Sequence, residues 1–246
     1  MTEHNAAASS GASTAPTARR TSRRRSTLLF LRDVVVIVVA ALLISFLIKT
    51  FLIRSFYIPS GSMRDTLQID DRIIVNQLSP EIIELERGDI VVFRDPGSWL
   101  MPQPEPERSP LESAGDFVLS LIGLSVSDSD EHLVKRVIGL PGDRVTCCND
   151  LGQLSINGIP IDEPYVRLPE GTKAVSGTDF QIDVPEGSLW VMGDNRYDSG
   201  DSRINGPVPI ADVVGTAFVI SWPFDRWQWL DGSPLTFDGV ERVDAP

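Results

Sequence analysis

Histidine and cysteine are almost missing from this chain, with two of each in 246 residues. His4 lies in a stretch of Ala, Ser, Thr and Arg, so His132 is the one histidine a folded site could use. That count excludes a Cys/His zinc site, which needs three or four such ligands, and no metal or other cofactor is expected. Cys147 and Cys148 are neighbours and cannot staple distant loops. They are read as strand residues, and the one disulfide open to them is vicinal. Positive charge is scarce as well. The net charge is -12, and residues 1–32 hold six arginines (Arg19, Arg20, Arg23, Arg24, Arg25, Arg32) against Glu3. The remainder therefore carries 16 basic against 33 acidic side chains. Phosphates would be repelled by such a body, so a nucleic-acid partner is excluded. Lysine is confined to Lys49, Lys135 and Lys173. No internal repeat is visible.

What the chain has is one long apolar run. Residues 1–26 carry almost no large apolar side chain and are expected to be disordered and cytoplasmic, because burial cannot offset the entropy of ordering them. Val34 to Ile48 then runs fifteen residues without a charge, and Thr27–Leu31 and Phe51–Ile53 extend it on either side. Fifteen helical residues reach about 22 Å, short of the roughly 30 Å of a bilayer's hydrocarbon core. The extensions close the gap if Arg32, Asp33 and Lys49 lie at the interfaces. Residues 27–53 are therefore expected to be a retained single transmembrane anchor in a cell membrane. The arginines before it hold the N-terminus in the cytoplasm, which puts the acidic body outside.

From Ile58 onward, short β-branched runs end at Pro or Gly. Asp71–Leu78, Gly88–Arg94, His132–Leu140, Asp143–Cys148, Leu154–Ile161, Ser188–Met192 and Val213–Trp222 are expected as strands. Asn157-Gly158 between Ile156 and Ile159 signals a hairpin. The fold class is mainly β, a single domain over residues 54–223. Residues 95–131 form a Pro- and acid-rich insertion with an apolar run, Phe117–Val126, expected as a helix packed on the sheet. Residues 224–246 read as a tail whose Trp227 and Trp229 are packing or interfacial aromatics.

Three stretches carry chemistry. In Tyr57–Leu67 (YIPSGSMRDTL), Pro59 and Gly61 shape a tight turn that holds out Ser62. A nucleophilic serine needs a base. His132 is one candidate, though a strand-end surface histidine is the ordinary reading; a lysine is the other. Burial would bring a lysine down from its ordinary pKa near 10.4, and Lys135 in Lys135–Val145 (KRVIGLPGDRV) fits that need. The third stretch, Gly193–Arg203 (GDNRYDSGDSR), cannot be an EF-hand loop, since Arg196 stands where an acid is required. It offers hydroxyls and an Asp201–Arg203 pair able to brace a site.

These three motifs, in this order behind an N-terminal apolar helix, resemble the bacterial type I signal peptidases over residues 54 to 222 and the anchor. The resemblance implies a membrane-bound serine endopeptidase that removes signal peptides from exported preproteins after Ala-x-Ala, near the bilayer and the export channel. It implies Ser62 as nucleophile and Lys135 as general base. It implies an oxyanion hole from Ser60 and the Ser62 N–H, a hydrogen bond from Ser199 to the lysine, and a bracing Asp201–Arg203 pair. Small apolar pockets would be lined by Phe56, Ile58, Met63, Leu67 and Val134. One departure is Asp65, where the family commonly has Pro before Thr-Leu; it predicts a looser turn at Leu67. A binding module without catalysis and a self-cleaving repressor are the competing classes. The second would need a DNA-binding domain where this chain has the apolar helix.

Overall fold

The computed structural model describes residues 20–97, 99–100 and 132–242. The chain divides at Leu47/Ile48 into a helical unit and a β unit. Helix α1, Arg20–Phe51, has 32 residues, about 48 Å at 1.5 Å each. Leu29–Phe46 is long and apolar enough to cross a membrane, and none of it is buried within the protein. The helix starts at Arg20, inside the segment expected to be disordered. The reason is cooperative: arginine is a good helix former, and an established apolar helix extends into it at little cost. Arg32 and Asp33 form an exposed pair at 2.8 Å, so the two charges next to the apolar run offset one another.

Among the described residues the β unit has twelve strands. These are β1 (Ile53–Tyr57), β2 (Arg72–Asn76), β3 (Ile90–Arg94), β4 (His132–Gly139), β5 (Arg144–Cys147), β6 (Ser155–Ile156), β7 (Ile159–Pro160), β8 (Phe180–Asp183), β9 (Ser188–Met192), β10 (Val208–Pro209), β11 (Val213–Trp222) and β12 (Gln228–Trp229). They form two sheets within the one β unit. The larger runs β1-β2-β11-β3-β4-β9-β10, with β12 paired to β11, and the smaller runs β7-β6-β5-β8. Every pairing among them is antiparallel.

Alternation explains the long strand. In β11, Val213, Gly215, Ala217 and Val219 are buried while the residues between them are partly open, the period-two pattern of a half-covered strand. In β2, Ile73 and Val75 enter the core between three partly exposed residues. The Asn157-Gly158 turn joins β6 to β7 with both residues at positive φ, 54° and 85°, as a two-residue type I′ hairpin requires.

Three features depart from expectation. Cys147 and Cys148 are bonded to each other; Cys147 is buried in the core of the smaller sheet. Residues 224–242 are not a loose tail. Phe237 and Val240 are buried in that same core, and Arg87 donates to the carbonyls of Val240 and Glu241 while pairing bidentately with buried Asp143. Trp227 and Trp229 stay more than half exposed and pack edge-on against each other. The expected helix at Phe117–Val126 lies outside the described residues.

Candidate active site

The connection from β1 to β2 is folded tightly by its own backbone. Ile58 N–H donates to Asp71 O and Asp70 N–H to Ile58 O, while Arg64 N–H bonds Gly61 O and Leu67 N–H bonds Met63 O. Ile58, Met63 and Leu67 are at most 2% exposed and pin the connection to the core. Ser62 is carried between those anchors. Asp65 adopts φ 84°, a left-handed angle that aspartate tolerates and proline cannot reach. The turn is closed rather than loose, and Leu67 is fully buried, contrary to the expectation from Asp65.

Strand β4 supplies the second group. Its pairing with β9 has Arg136 opposite Met192, so Lys135 is the first β4 residue beyond the end of β9, where the chain turns into the Gly193–Arg203 loop. Lys135 is 3% exposed. Its Nζ donates to Ser62 Oγ at 2.8 Å and to Val134 O at 3.0 Å. Burial brings its pKa from 10.5 to about 8, against the opposing pull of the Asp201 and Asp194 carboxylates. Ser60 Oγ stands 3.3 Å from Ser62 Oγ.

The Gly193–Arg203 loop closes over both. Asn195 N–H donates to Ser62 O at 3.1 Å, and Asn195 Nδ2 donates to Gly61 O at 3.0 Å. Gly193 is required by closeness: a Cβ there would sit 2.3 Å from Ser199 Oγ and 2.5 Å from Ser62 O. Asp201 caps a short helix, α2 (Ser202–Asn205), accepts from Gly193 N–H at 3.0 Å and holds the Arg203 guanidinium at 2.8 Å. Burial works to raise the Asp201 pKa, and Arg203 outweighs it, so the carboxyl is held below its usual value. The expected Asp201–Arg203 brace is therefore present in geometry. The expected Ser199–Lys135 bond is not. Ser199 Oγ is buried beside Gly193 and makes no well-formed hydrogen bond among the described residues, while the lysine bonds Ser62 and the Val134 carbonyl. The hydroxyl lies on the Asp201 side and adds a little to keeping that carboxyl ionised.

The five residues expected to line pockets form one neighbourhood. Phe56, Ile58, Met63 and Leu67 are buried in a single apolar cluster, and Val134 packs against it. His132 stacks on Phe56 with ring centroids 5.2 Å apart; the group bonded to Ser62 Oγ from β4 is the lysine.

Sequence reasoning missed a buried charge lattice behind Ser62 and Lys135. Arg136 donates bidentately to Asp194 at 2.8 and 2.7 Å, and Thr66 Oγ1 donates to the same carboxylate. Arg196 is paired bidentately with Glu163 at 2.8 and 2.5 Å. The first pair had a signal, since both partners belong to the three motifs singled out above. Glu163 had none; it lies in an ordinary Pro-flanked connection.

The chain has relatives among known proteins. The model of the family described as signal peptidase, peptidase S26, matches residues 31–222. A probable signal peptidase I of Mycobacterium leprae is 35% identical over 217 residues, covering 76% of this chain and 74% of that one. Signal peptidase I of Mycobacterium tuberculosis is 36% identical over 210 residues (76% and 71%), and signal peptidase I S of Bacillus subtilis 33% over 195 (76% and 87%). Among solved structures, a signal peptidase I from Enterococcus faecalis is 27% identical, with a TM-score of 0.36, covering 54% of this chain and 95% of that one. By its matching family model and the extent of these relatives, the chain belongs to the signal peptidase family, peptidase S26.

Proposed function

We propose that this serine peptidase of the signal peptidase family cleaves preproteins with a Ser62–Lys135 dyad. The observation that carries the reading is a buried lysine amine 2.8 Å from the hydroxyl of a serine held on a closed turn. Ser62 Oγ attacks the scissile carbonyl carbon as neutral Lys135 Nζ takes its proton. The negative oxygen of the tetrahedral intermediate accepts from Ser62 N–H and Ser60 Oγ–H. Collapse breaks the C–N bond, and Lys135 returns the proton to the leaving amine. Water, deprotonated by the same lysine, then attacks the acyl-enzyme ester, releases the new carboxylate and restores Ser62 Oγ–H.

Phe56, Ile58, Met63, Leu67 and Val134 would form small apolar pockets that admit alanine on the acyl side of the bond, which gives a preference for Ala-x-Ala. The helix anchors the chain in the plasma membrane, with the arginine-rich N-terminus cytoplasmic and the β unit outside. Its substrates would arrive from the export channel with their own apolar segment still in the bilayer.

The test is cleavage of a secretory precursor by the full chain in detergent, comparing wild type with Ser62→Ala and Lys135→Met. Each variant should be folded by circular dichroism and lose cleavage by at least ~1,000-fold. A folded Lys135→Met enzyme with near wild-type turnover would move the base assignment to His132.

A further inference from the structure

Glu163 lies on the connection between β7 and β8, in the smaller sheet's half of the β unit. Ile161, two residues earlier, is 2% exposed and packed in that half's core, so the connection is fixed to the smaller sheet. Yet Glu163 faces the catalytic loop. Its two oxygens receive both terminal nitrogens of Arg196, whose side chain is 0% exposed. Arg196 Nε donates to Gly193 O at 3.0 Å, and Arg196 O accepts from Arg203 Nη2 at 2.6 Å. Arg196 thus ties together Gly193, which faces Ser62 O and Ser199, and Arg203, which holds Asp201. Tyr165 works on the same joint. Its hydroxyl donates to Glu163 Oε1 at 2.8 Å, and its ring lies 3.9 Å beneath the Arg136 guanidinium. Arg136 in turn holds Asp194.

We infer that Glu163 and Tyr165 are positioning residues of the active site: through Arg196 and Arg136 they set where the Gly193–Arg203 loop rests on Ser62 and Lys135. The inference rests on the Ser62–Lys135 reading. Its logic is geometric and electrostatic. A bidentate carboxylate–guanidinium pair fixes the plane of Arg196 as well as its position. Arg136, Arg196, Asp194 and Glu163 are all buried and balance as two positive and two negative charges. Lys135 faces the carboxylates Asp194 and Asp201, whose partners are Arg136 and Arg203; Arg196, the partner of Glu163, lies within reach of the Asp194 charge. Deleting the Glu163 charge leaves Arg196 uncompensated beside Asp194. The neutral lysine is then favoured to lower pH, even as the loop loses its register.

The experiment compares Glu163→Gln, Glu163→Asp and Tyr165→Phe with wild type and Ser62→Ala. All are full-length in detergent, with a fluorogenic signal-sequence peptide and active sites counted by a serine-acylating inhibitor. For Glu163→Gln, kcat per active site should fall at least ~10-fold with KM within about twofold, and the acid limb of kcat/KM should move to lower pH. Glu163→Asp, with its charge kept and its reach shortened, should lose kcat but keep the wild-type limb. Tyr165→Phe should lose kcat by ~3-fold or more with melting close to wild type. Wild-type kcat per active site and an unmoved limb in Glu163→Gln would overturn the inference and leave the pair a structural one. If Glu163→Gln does not fold, wild-type kcat in both milder variants overturns it. Full activity in Ser62→Ala would instead refute the Ser–Lys reading, and the inference would fall with it.

Discussion

Replacing Lys135 with methionine should separate the chemistry from the fold and expose what the buried amine costs. Burial lowers its pKa from 10.5 to about 8. At about 1.36 kcal/mol per unit, the protonated form is disfavoured in the folded chain by about 3 kcal/mol relative to the unfolded one. Below pH 8 both states carry the proton and the folded state bears this cost in full. Between 8 and 10.5 the unfolded chain holds a proton that the folded chain has lost, so stability rises with pH. Above 10.5 the cost has vanished. Methionine, of similar shape, bears it at no pH. The lost hydrogen bonds to Ser62 Oγ and Val134 O lower the variant's stability by about 1 kcal/mol each, but they do so at every pH and drop out of the pH dependence. Urea unfolding of the full chain in detergent, followed by tryptophan fluorescence at about pH 7, 8, 9 and 10, measures the difference. The wild type should gain on Lys135→Met by about 2–3 kcal/mol across that range. Parallel stability curves would show that the amine is not displaced toward neutrality, and the account of how it serves as a base would fail.

Four further outcomes follow from the same structure. On the proposed mechanism, in which the neutral amine takes the serine proton, kcat/KM with a peptide substrate should climb about tenfold per unit below about pH 8 and level off above it. In Asp201→Asn, which removes a carboxylate that raises the lysine pKa, that limb should move to lower pH. Gly193→Ala, whose methyl would fall 2.3 Å from Ser199 Oγ and 2.5 Å from Ser62 O, should lose turnover by ~100-fold in a steady-state peptide assay, while near-UV circular dichroism still reports a folded chain. Phe237→Ala, in the segment beyond the family match, should destabilise the smaller sheet's core by about 3–5 kcal/mol, read by thermal melting.

The site was legible where chemistry is carried by residue type and order, and less so where it is carried by distance. Ser62 stood out by the Pro59–Gly61 turn and Lys135 because the chain has so little histidine and lysine, and the strands at Ser188–Met192 and Val213–Trp222 were marked by their β-branched runs. Strand β1 was hidden because Ile53–Tyr57 adjoins an apolar helix and carries Arg54 and Ser55 in its middle. Of the second sheet, β5 and the β6–β7 hairpin fall within the runs at Asp143–Cys148 and Leu154–Ile161, but β8, four residues of alternating Phe180–Asp183, was too short to show. Glu163 is the sharpest case. Nothing local marks a glutamate that meets an arginine 33 residues on; only the folded path of the chain brings the two together. Ser199 was placed near its site by motif, but which hydroxyl receives the lysine is decided by ångströms that no spacing encodes.

The place of β11 has a consequence for how the enzyme comes into being. This strand, residues 213–222, is inserted between β2 and β3, although both precede it by more than a hundred residues. Ser62 leads into β2 and Lys135 lies on β4, next to β3, so the two residues lie on opposite sides of a gap that β11 fills. Pairing across such separations is slow to form. A chain that has emerged only as far as Gly200 already holds Ser62 and Lys135, but the sheet that joins β1-β2 to β3-β4 waits for β11.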